Sequence, residues 1–310
     1  MKRRQFLGMV TTVTAGAGLA GLAIFDRPQR VLVIGGGVAG STFAAQFRAA
    51  APEAEVTLVD RHPEETAAGL LSQGVKVYRD DIQDIDWSAG RAVGWNGFSY
   101  DFDRLVMAPG VAFRGGFVEG YDSLARSRFP ALWSGPADAD RFMRRLSVLP
   151  DGGTVLITLP EGPFRFPEGP ALRAGQAADY LRRHNPRAKV IVLDAGKAPG
   201  ADAARAAGVE WISGANGGRL IRVDAAQNQV RAEAGPISAD LINIIPPQWA
   251  GELALRSGLA DATGWCPVDV STGRSARIEK ALVIGDAVTD FRKTAEVARA
   301  SAVHAVRGAA

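Results

Sequence analysis

The sequence predicts an α/β protein of two doubly wound halves, the second inserted in the first, and three observations lead to it. A short apolar strand near the start runs into a glycine-rich turn and a helix. A second apolar strand ends on an acid twenty residues after the last of those glycines. The same order of strands then recurs before the chain returns to an apolar strand at 281–287.

Arg30-Val-Leu-Val-Ile34 is a continuous apolar run, the pattern of a parallel strand buried on both faces. It leads into Gly35-Gly36-Gly37-Val38-Ala39-Gly40 and a helical stretch at 41–50, so Gly35, Gly37 and Gly40 hold the GxGxxG positions. Gly35 permits the tight turn, Gly37 lets the backbone approach a pyrophosphate, and Gly40 lets the helix pack close to the strand. Helix N–H groups and a charge of about +0.5 then face the phosphates, so Val38 and Ala39 join the glycines as candidate cofactor-binding residues. The next strand, 55–59, ends at Asp60, where the fingerprint places a carboxylate for ribose hydroxyls, and Arg61 follows it as a further candidate.

Short strands are expected at 75–78, 82–87, 91–95 and 98–102, and Arg104-Leu-Val-Met-Ala-Pro-Gly110 closes this pass. A second pass brings a strand at 152–159, a helix at 171–185, and strands at 189–194, 209–212, 220–223, 229–232 and 239–247. Ser99-Tyr-Asp-Phe-Asp-Arg-Leu-Val-Met-Ala-Pro and Pro236-Ile-Ser-Ala-Asp-Leu-Ile-Asn-Ile-Ile-Pro share one pattern. The organisation expected is a leader at 1–25, a first Rossmann-like part at 26–112, a second such domain at 113–245 and a return segment at 246–310. Where a nicotinamide site in the second half would need glycines, the chain reads Leu159-Pro-Glu-Gly-Pro-Phe-Arg-Phe-Pro-Glu-Gly-Pro170. Its four prolines stiffen the loop and remove N–H donors, so no NAD(P)H is expected.

Apolar residues at 47% and charged residues at 22% belong to a soluble globular protein. The net charge of +3 comes from Lys2, Arg3 and Arg4; without them, 33 basic residues face 33 acidic ones. With no Lys/Arg tract interleaved with aromatics, no nucleic-acid partner is expected. The one cysteine, Cys266, forms no intramolecular disulfide and reads as a buried packing residue, with a reactive thiol as the alternative. His62, His184 and His304 are scattered and read as surface or packing residues, and no metal is expected. Arg3-Arg4 ahead of Gln5-Phe6-Leu7 and a Gly/Ala-rich apolar run is the layout of a twin-arginine export signal, which predicts a periplasmic protein. An uncleaved leader anchored in the membrane is the alternative, since residues 6–25 approach the length of a bilayer span.

Ala281-Leu-Val-Ile-Gly-Asp-Ala287 resembles the second FAD signature of the two-dinucleotide-binding-domain flavoproteins. That resemblance implies FAD, with Gly285 and Asp286 at the ribityl chain, while Ala108, Pro109 and Gly110 resemble the chain-crossing motif. It also implies that the N-terminus of a helix at 294–306, with Thr294, faces the flavin. A helix N-cap or turn former is the other reading of Asp286. More closely, the chain resembles the flavoprotein subunit of flavocytochrome c sulfide dehydrogenase, a relative of sulfide:quinone oxidoreductases. The matching stretches are Asp151-Gly-Gly-Thr-Val, Gly162-Pro-Phe-Arg-Phe-Pro-Glu-Gly-Pro170, Leu241-Ile-Asn-Ile-Ile-Pro-Pro-Gln248, Gly264-Trp-Cys-Pro-Val-Asp269 and Val283-Ile-Gly-Asp-Ala287. The resemblance spans about residues 30 to 307, and implies an exported oxidoreductase that passes electrons from FAD to a c-type cytochrome subunit.

Two departures qualify it. Phe166 stands where that family carries a redox cysteine, and the segment Arg61-His-Pro-Glu-Glu-Thr-Ala-Ala-Gly-Leu-Leu lacks the cysteine that tethers FAD. Non-covalent FAD and no sulfide oxidation by the family's thiolate chemistry are therefore expected. Arg165 reads either as facing the substrate side of the flavin or as solvated. Lys293 begins the last helix, which the family brings to the pyrimidine end of the flavin. The residues name no catalytic group. The alternative reading is a degenerate paralogue that binds flavin or a partner.

Overall fold

A computed structural model describes residues 27–129 and 136–309, so the leader read at 1–25 lies outside the described residues. The chain opens with β1 (Arg30–Ile34), α1 (Val38–Ala50), β2 (Glu55–Asp60), α2 (Glu64–Ser72) and β3 (Lys76–Arg79). A meander follows, β4 (Ile82–Asp86), β5 (Arg91–Gly94) and β6 (Ser99–Asp101), and then β7 (Arg104–Met107) and β8 (Val111–Phe113). Next come α3 (Ser123–Arg128), α4 (Pro136–Ser147), β9 (Thr154–Leu159), α5 (Gly169–His184), β10 (Lys189–Asp194), α6 (Ala201–Ala206) and β11 (Glu210–Ser213). A second meander of β12 (Leu220–Asp224), β13 (Gln229–Ala232) and β14 (Gly235–Ser238) precedes β15 (Leu241–Ile244). The chain returns through β16 (Gln248–Ala250), α7 (Glu252–Arg256), β17 (Ala281–Val283) and α8 (Ala295–Ala309).

β17-β7-β1-β2-β3 form a five-stranded parallel sheet, and β11-β10-β9-β15 a four-stranded parallel one. The predicted α/β class with two doubly wound halves is observed. Joining β17 to β7, with Ala281 opposite Leu105, carries the chain back to the first sheet after the second is complete. β8 and β16 pair antiparallel, Val111 opposite Ala250 and Phe113 opposite Gln248, where the chain leaves the first half and where it returns.

The continuous apolar character of β1 follows from a sheet covered on both faces. Val31 and Val33 point to the layer of α1 and α8, among Phe43, Phe47, Ala302 and Ala305, whereas Leu32 and Ile34 point to the meander side, among Ile85, Phe102 and Trp265. The plan repeats in the second half. Val155, Ile157 and Leu159 of β9 meet α4 and α5 through Phe142, Ala174 and Leu181, and Leu156 meets the second meander through Val223 and Val230.

Local structure departs from the sequence reading in several places. The strand expected over 281–287 stops at Val283, because Gly285 takes a left-handed φ of +76° and residues 285–287 turn as a 3₁₀ helix. α5 begins at Gly169 rather than 171, so the fourth proline, Pro170, stands in its first turn, where a missing N–H breaks no helical hydrogen bond. Three prolines, not four, belong to the loop. Helix α2, after Asp60, carries too short an apolar stripe to be read in advance; Leu70 is its one buried residue.

Among the described residues no helix is long and apolar enough to cross a membrane.

Candidate cofactor-binding cleft

A cleft of about 1220 Å³ opens at the carboxyl ends of β1, β2 and β7 and runs across to the start of α5 and α8. It exceeds the roughly 300–1,000 Å³ of an ordinary small-molecule pocket. Of the thirteen residues proposed from sequence, Gly35, Gly37, Val38, Ala39, Asp60, Arg61, Ala108, Pro109, Gly110, Gly285, Asp286 and Thr294 line it. Gly40 does not. It lies behind the wall, where a Cβ would be driven into the carbonyl oxygen of Gly35, which is the close helix-to-strand packing expected of the third glycine.

The other two glycines are required for different reasons. Gly35 has φ +102°, and a side chain there would strike the backbone of Ala108. Gly37 has an ordinary φ of −65°, and an added Cβ would find no atom within 4 Å. Neither backbone nor packing demands glycine at 37; what the missing side chain leaves clear is the cleft itself, in front of the first turn of α1. The N–H groups of that turn have no intrahelical acceptor, and the helix dipole adds positive character there. The residues present therefore fit the pyrophosphate of a dinucleotide.

Asp60 closes the turn from the neighbouring strand. Its Oδ2 accepts the Gly36 N–H at 2.6 Å and its Oδ1 the His62 N–H at 2.6 Å. The carboxylate thus fastens the glycine turn and still lines the cleft. On the next strand, the Ala108 N–H donates to Ile34 O at 2.8 Å, and the Gly251 N–H donates to Gly110 O at 3.0 Å, joining this wall to the return segment.

The opposite end is built from the return segment. A Cβ on Gly285 would come within 2.9 Å of that of Ala39, and the Gly285 N–H donates to the buried Ser301 hydroxyl at 2.9 Å. The turn that carries Asp286 is thereby held against α1. Asp286 does not cap α8. That place belongs to Thr294, whose Oγ1 accepts the Val297 N–H at 3.3 Å. Burial raises the Asp286 carboxyl above its ordinary range, opposed by Arg165, whose Nε lies 3.7 Å away, and by Lys293.

Lys293 is only 2% exposed although it borders the cleft. Its Nζ donates to Val288 O and sits 4.2 Å from the centre of the Trp265 ring. Burial pulls its ammonium down to about 8, while Asp286 and Asp290 pull the other way. Sequence position pointed to this lysine; its burial and its aromatic neighbour were not legible there. Arg173 and Gln176 of α5 also line the cleft and were not anticipated, because only the docking of the two halves brings α5 to it; Arg256 of α7 lines it from the return segment.

Cys266 is fully buried, and burial pushes its thiol up to about 12, so it packs and does not react. His62, His184 and His304 are exposed. No group of three or more metal-ligating side chains occurs among the described residues. In the second half, the acid that ends β10 takes a different course from Asp60. Asp194 is 2% exposed and accepts the N–H groups of Gly196 and Ala198 at 3.1 and 3.0 Å and the Trp211 indole N–H at 3.2 Å.

A glycine-cradled cleft on one doubly wound sheet, with a second such sheet nested in the chain, defines the class: the two-domain FAD/NAD(P)-binding fold. The sulfide:quinone oxidoreductase of the hyperthermophilic bacterium Aquifex aeolicus superposes with a TM-score of 0.72 at 16% identity, over 90% of this chain and 76% of that one. Putidaredoxin reductase, in its covalent complex with putidaredoxin, gives 0.67 at 19% identity, over 91% and 75%. The ferredoxin reductase for the CYP199A2 system of Rhodopseudomonas palustris gives 0.67 at 17%, over 91% and 76%. Residues 140–246, about a third of the chain, match the family described as the central part of the sulfide dehydrogenase (flavocytochrome c) flavoprotein chain. Over that stretch the chain is similar to the flavoprotein chain of flavocytochrome c sulfide dehydrogenase, and its fold is that of the sulfide:quinone oxidoreductase.

Proposed function

We propose that this chain is an exported flavoprotein that holds FAD without a covalent bond and relays electrons from a small donor to an external acceptor such as a c-type cytochrome. The observation that carries the reading is Gly37, a glycine that nothing in the protein requires and whose missing side chain leaves the cleft open before α1. In this reading the pyrophosphate lies over Gly37 and the first turn of α1, and Asp60 takes ribose hydroxyls. Ala108, Pro109 and Gly110 floor the middle, and Asp286 and Thr294 serve the flavin end. FAD supplies the electron chemistry when bound.

The absence of a cysteine from residues 61–71, directly after Asp60, and the burial of Cys266 support a non-covalent cofactor. The twin-arginine leader supports export, and the matched family, itself one chain of a flavocytochrome, supports a cytochrome acceptor. Asp194 is buried beneath Trp211 and, unlike Asp60, does not line the cleft, which argues against a nicotinamide ribose in the second half. Phe166, in place of a redox cysteine, is the observation behind a second reading, a paralogue retained for binding a partner.

The test is the absorption spectrum of the purified mature protein before and after acid precipitation. A flavin spectrum that passes into the supernatant is expected. A colourless protein that also takes up no added FAD overturns the oxidoreductase reading and leaves the second.

A further inference from the structure

The loop between β9 and α5 holds a bulky residue in a conformation that side chains avoid. Phe166 has φ +54°, a left-handed backbone in which the Cβ of an L-residue crowds its own carbonyl. Three hydrogen bonds keep it there. The Phe166 N–H donates to Lys293 O at 2.7 Å, the Gly169 N–H donates to Phe166 O at 2.9 Å, and the neighbouring Arg165 N–H donates to Gln248 Oε1 at 2.8 Å. The outcome is a ring aimed at the cleft instead of the core, 48% exposed. Strain maintained in this way marks a position with a task.

α5 continues the same wall. Gly169, Leu172, Arg173 and Gln176 follow the i, i+3, i+4, i+7 spacing of one helix face and all line the cleft, with Leu172 57% exposed. Two large apolar side chains therefore stand in the open beside Arg165 and Arg173. Arg165 faces Asp286, but Arg173 makes no ion pair among the described residues. The positive end of the α5 dipole adds to the same sign as Arg173. An apolar surface beside an arginine without an ion pair among the described residues suits one chemistry, a hydrophobic body with a single negative head.

We infer that the part of the cleft formed by Phe166, Leu172 and Arg173 binds a small apolar monoanion, of the kind of an aryl carboxylate, as the protein's small-molecule substrate class. The inference deepens the flavoprotein reading, since it names what that same cleft receives beside the cofactor. The apolar body lies against Phe166 and Leu172, and the guanidinium of Arg173 takes the anionic head.

Benzoate is the probe, titrated by calorimetry into the full chain as purified, whose flavin content is measured independently by absorbance. Saturable binding is expected, at least about tenfold tighter than for the neutral isostere benzamide and for acetate, which lacks the apolar body. Arg173→Gln should weaken benzoate about tenfold with little effect on benzamide. Phe166→Gly, which relieves the left-handed strain and so spares the fold, should weaken both. Flavin-loaded protein that does not bind benzoate, or binds it no better than benzamide, overturns this inference and leaves the flavoprotein reading intact. Benzoate binding that both variants weaken, in protein without flavin, upholds the site and counts against that reading.

Discussion

The backbone N–H of Phe166 donates to the carbonyl oxygen of Lys293 at 2.7 Å, tying the loop after β9 to the residue that leads into α8. One backbone hydrogen bond thus joins the residue that carries an apolar ring on the cleft wall to the residue that carries a buried ammonium. The pair sets what chemistry this end of the cleft supports, and the predictions begin there.

With a phenyl ring at 166 and the sole thiol buried, no thiolate reaches the cleft to attack sulfur. Sulfide-dependent reduction of cytochrome c by the purified protein is expected to stay at the rate of the protein-free control. Turnover like that of sulfide dehydrogenases would refute this, and is read by cytochrome absorbance.

Gly37 and Gly40 should respond in opposite ways. Gly37→Ser places a favourable capping hydroxyl at the start of α1, so the melting temperature should hold or rise slightly while flavin retention falls at least about tenfold. Gly40→Ala forces a methyl into the Gly35 carbonyl and should destabilise the fold by about 1–3 kcal/mol or more. Thermal melting alongside flavin absorbance of the eluted protein separates the two.

Lys293 gives a pH signature. Burial sets its folded value at about 8, against 10.5 ordinarily, so between those values the unfolded chain binds more protons and this group makes stability rise with pH. Lys293→Met should remove that rise. The gap in unfolding free energy between the variant and the parent should therefore change in the parent's favour by on the order of 1–3 kcal/mol from pH 7 to pH 10.5, measured by urea denaturation.

Asp103 gives the acid counterpart. Burial pushes its carboxyl up, but hydrogen bonds from the Arg27 guanidinium and from the backbone and side chain of Arg30 outweigh it and hold the group at about 2. A lowered carboxyl stabilises the fold above its ordinary value of 3.8, and that contribution is lost as pH falls toward 2. Asp103→Asn should cost about 1–2 kcal/mol at pH 7 and flatten the acid limb of stability between about pH 4 and pH 2, visible in denaturation at a series of pH values.

Residues 30–60 were legible in advance because each signal there is local. A buried parallel strand needs a run of apolar side chains, a tight turn needs glycine at 35, and the acid sits a fixed distance along the second strand. Elsewhere, the same logic went astray where tertiary contacts outweigh local preference. β17 ends early because Gly285 must turn against Ala39, and Pro170 joins α5 because a first-turn proline breaks no hydrogen bond. The second half resembles the first in pattern, yet its acid Asp194 is enclosed by Trp211, a contact across the β10–β11 pair that no spacing reveals.

The sequence by itself determined the α/β class, the glycine turn, the acid that faces it and the returning strand, because periodicity and backbone conformation are encoded within a few residues of one another. Only the tertiary structure decided that Lys293 is buried over Trp265, and that Phe166 and Arg173 share one wall. Those facts depend on desolvation and on close approach that spacing along the chain does not reveal: Lys293 loses its water over the Trp265 ring, and Phe166 is fastened to Lys293 from the other half of the chain, 127 positions (293 − 166) away in sequence.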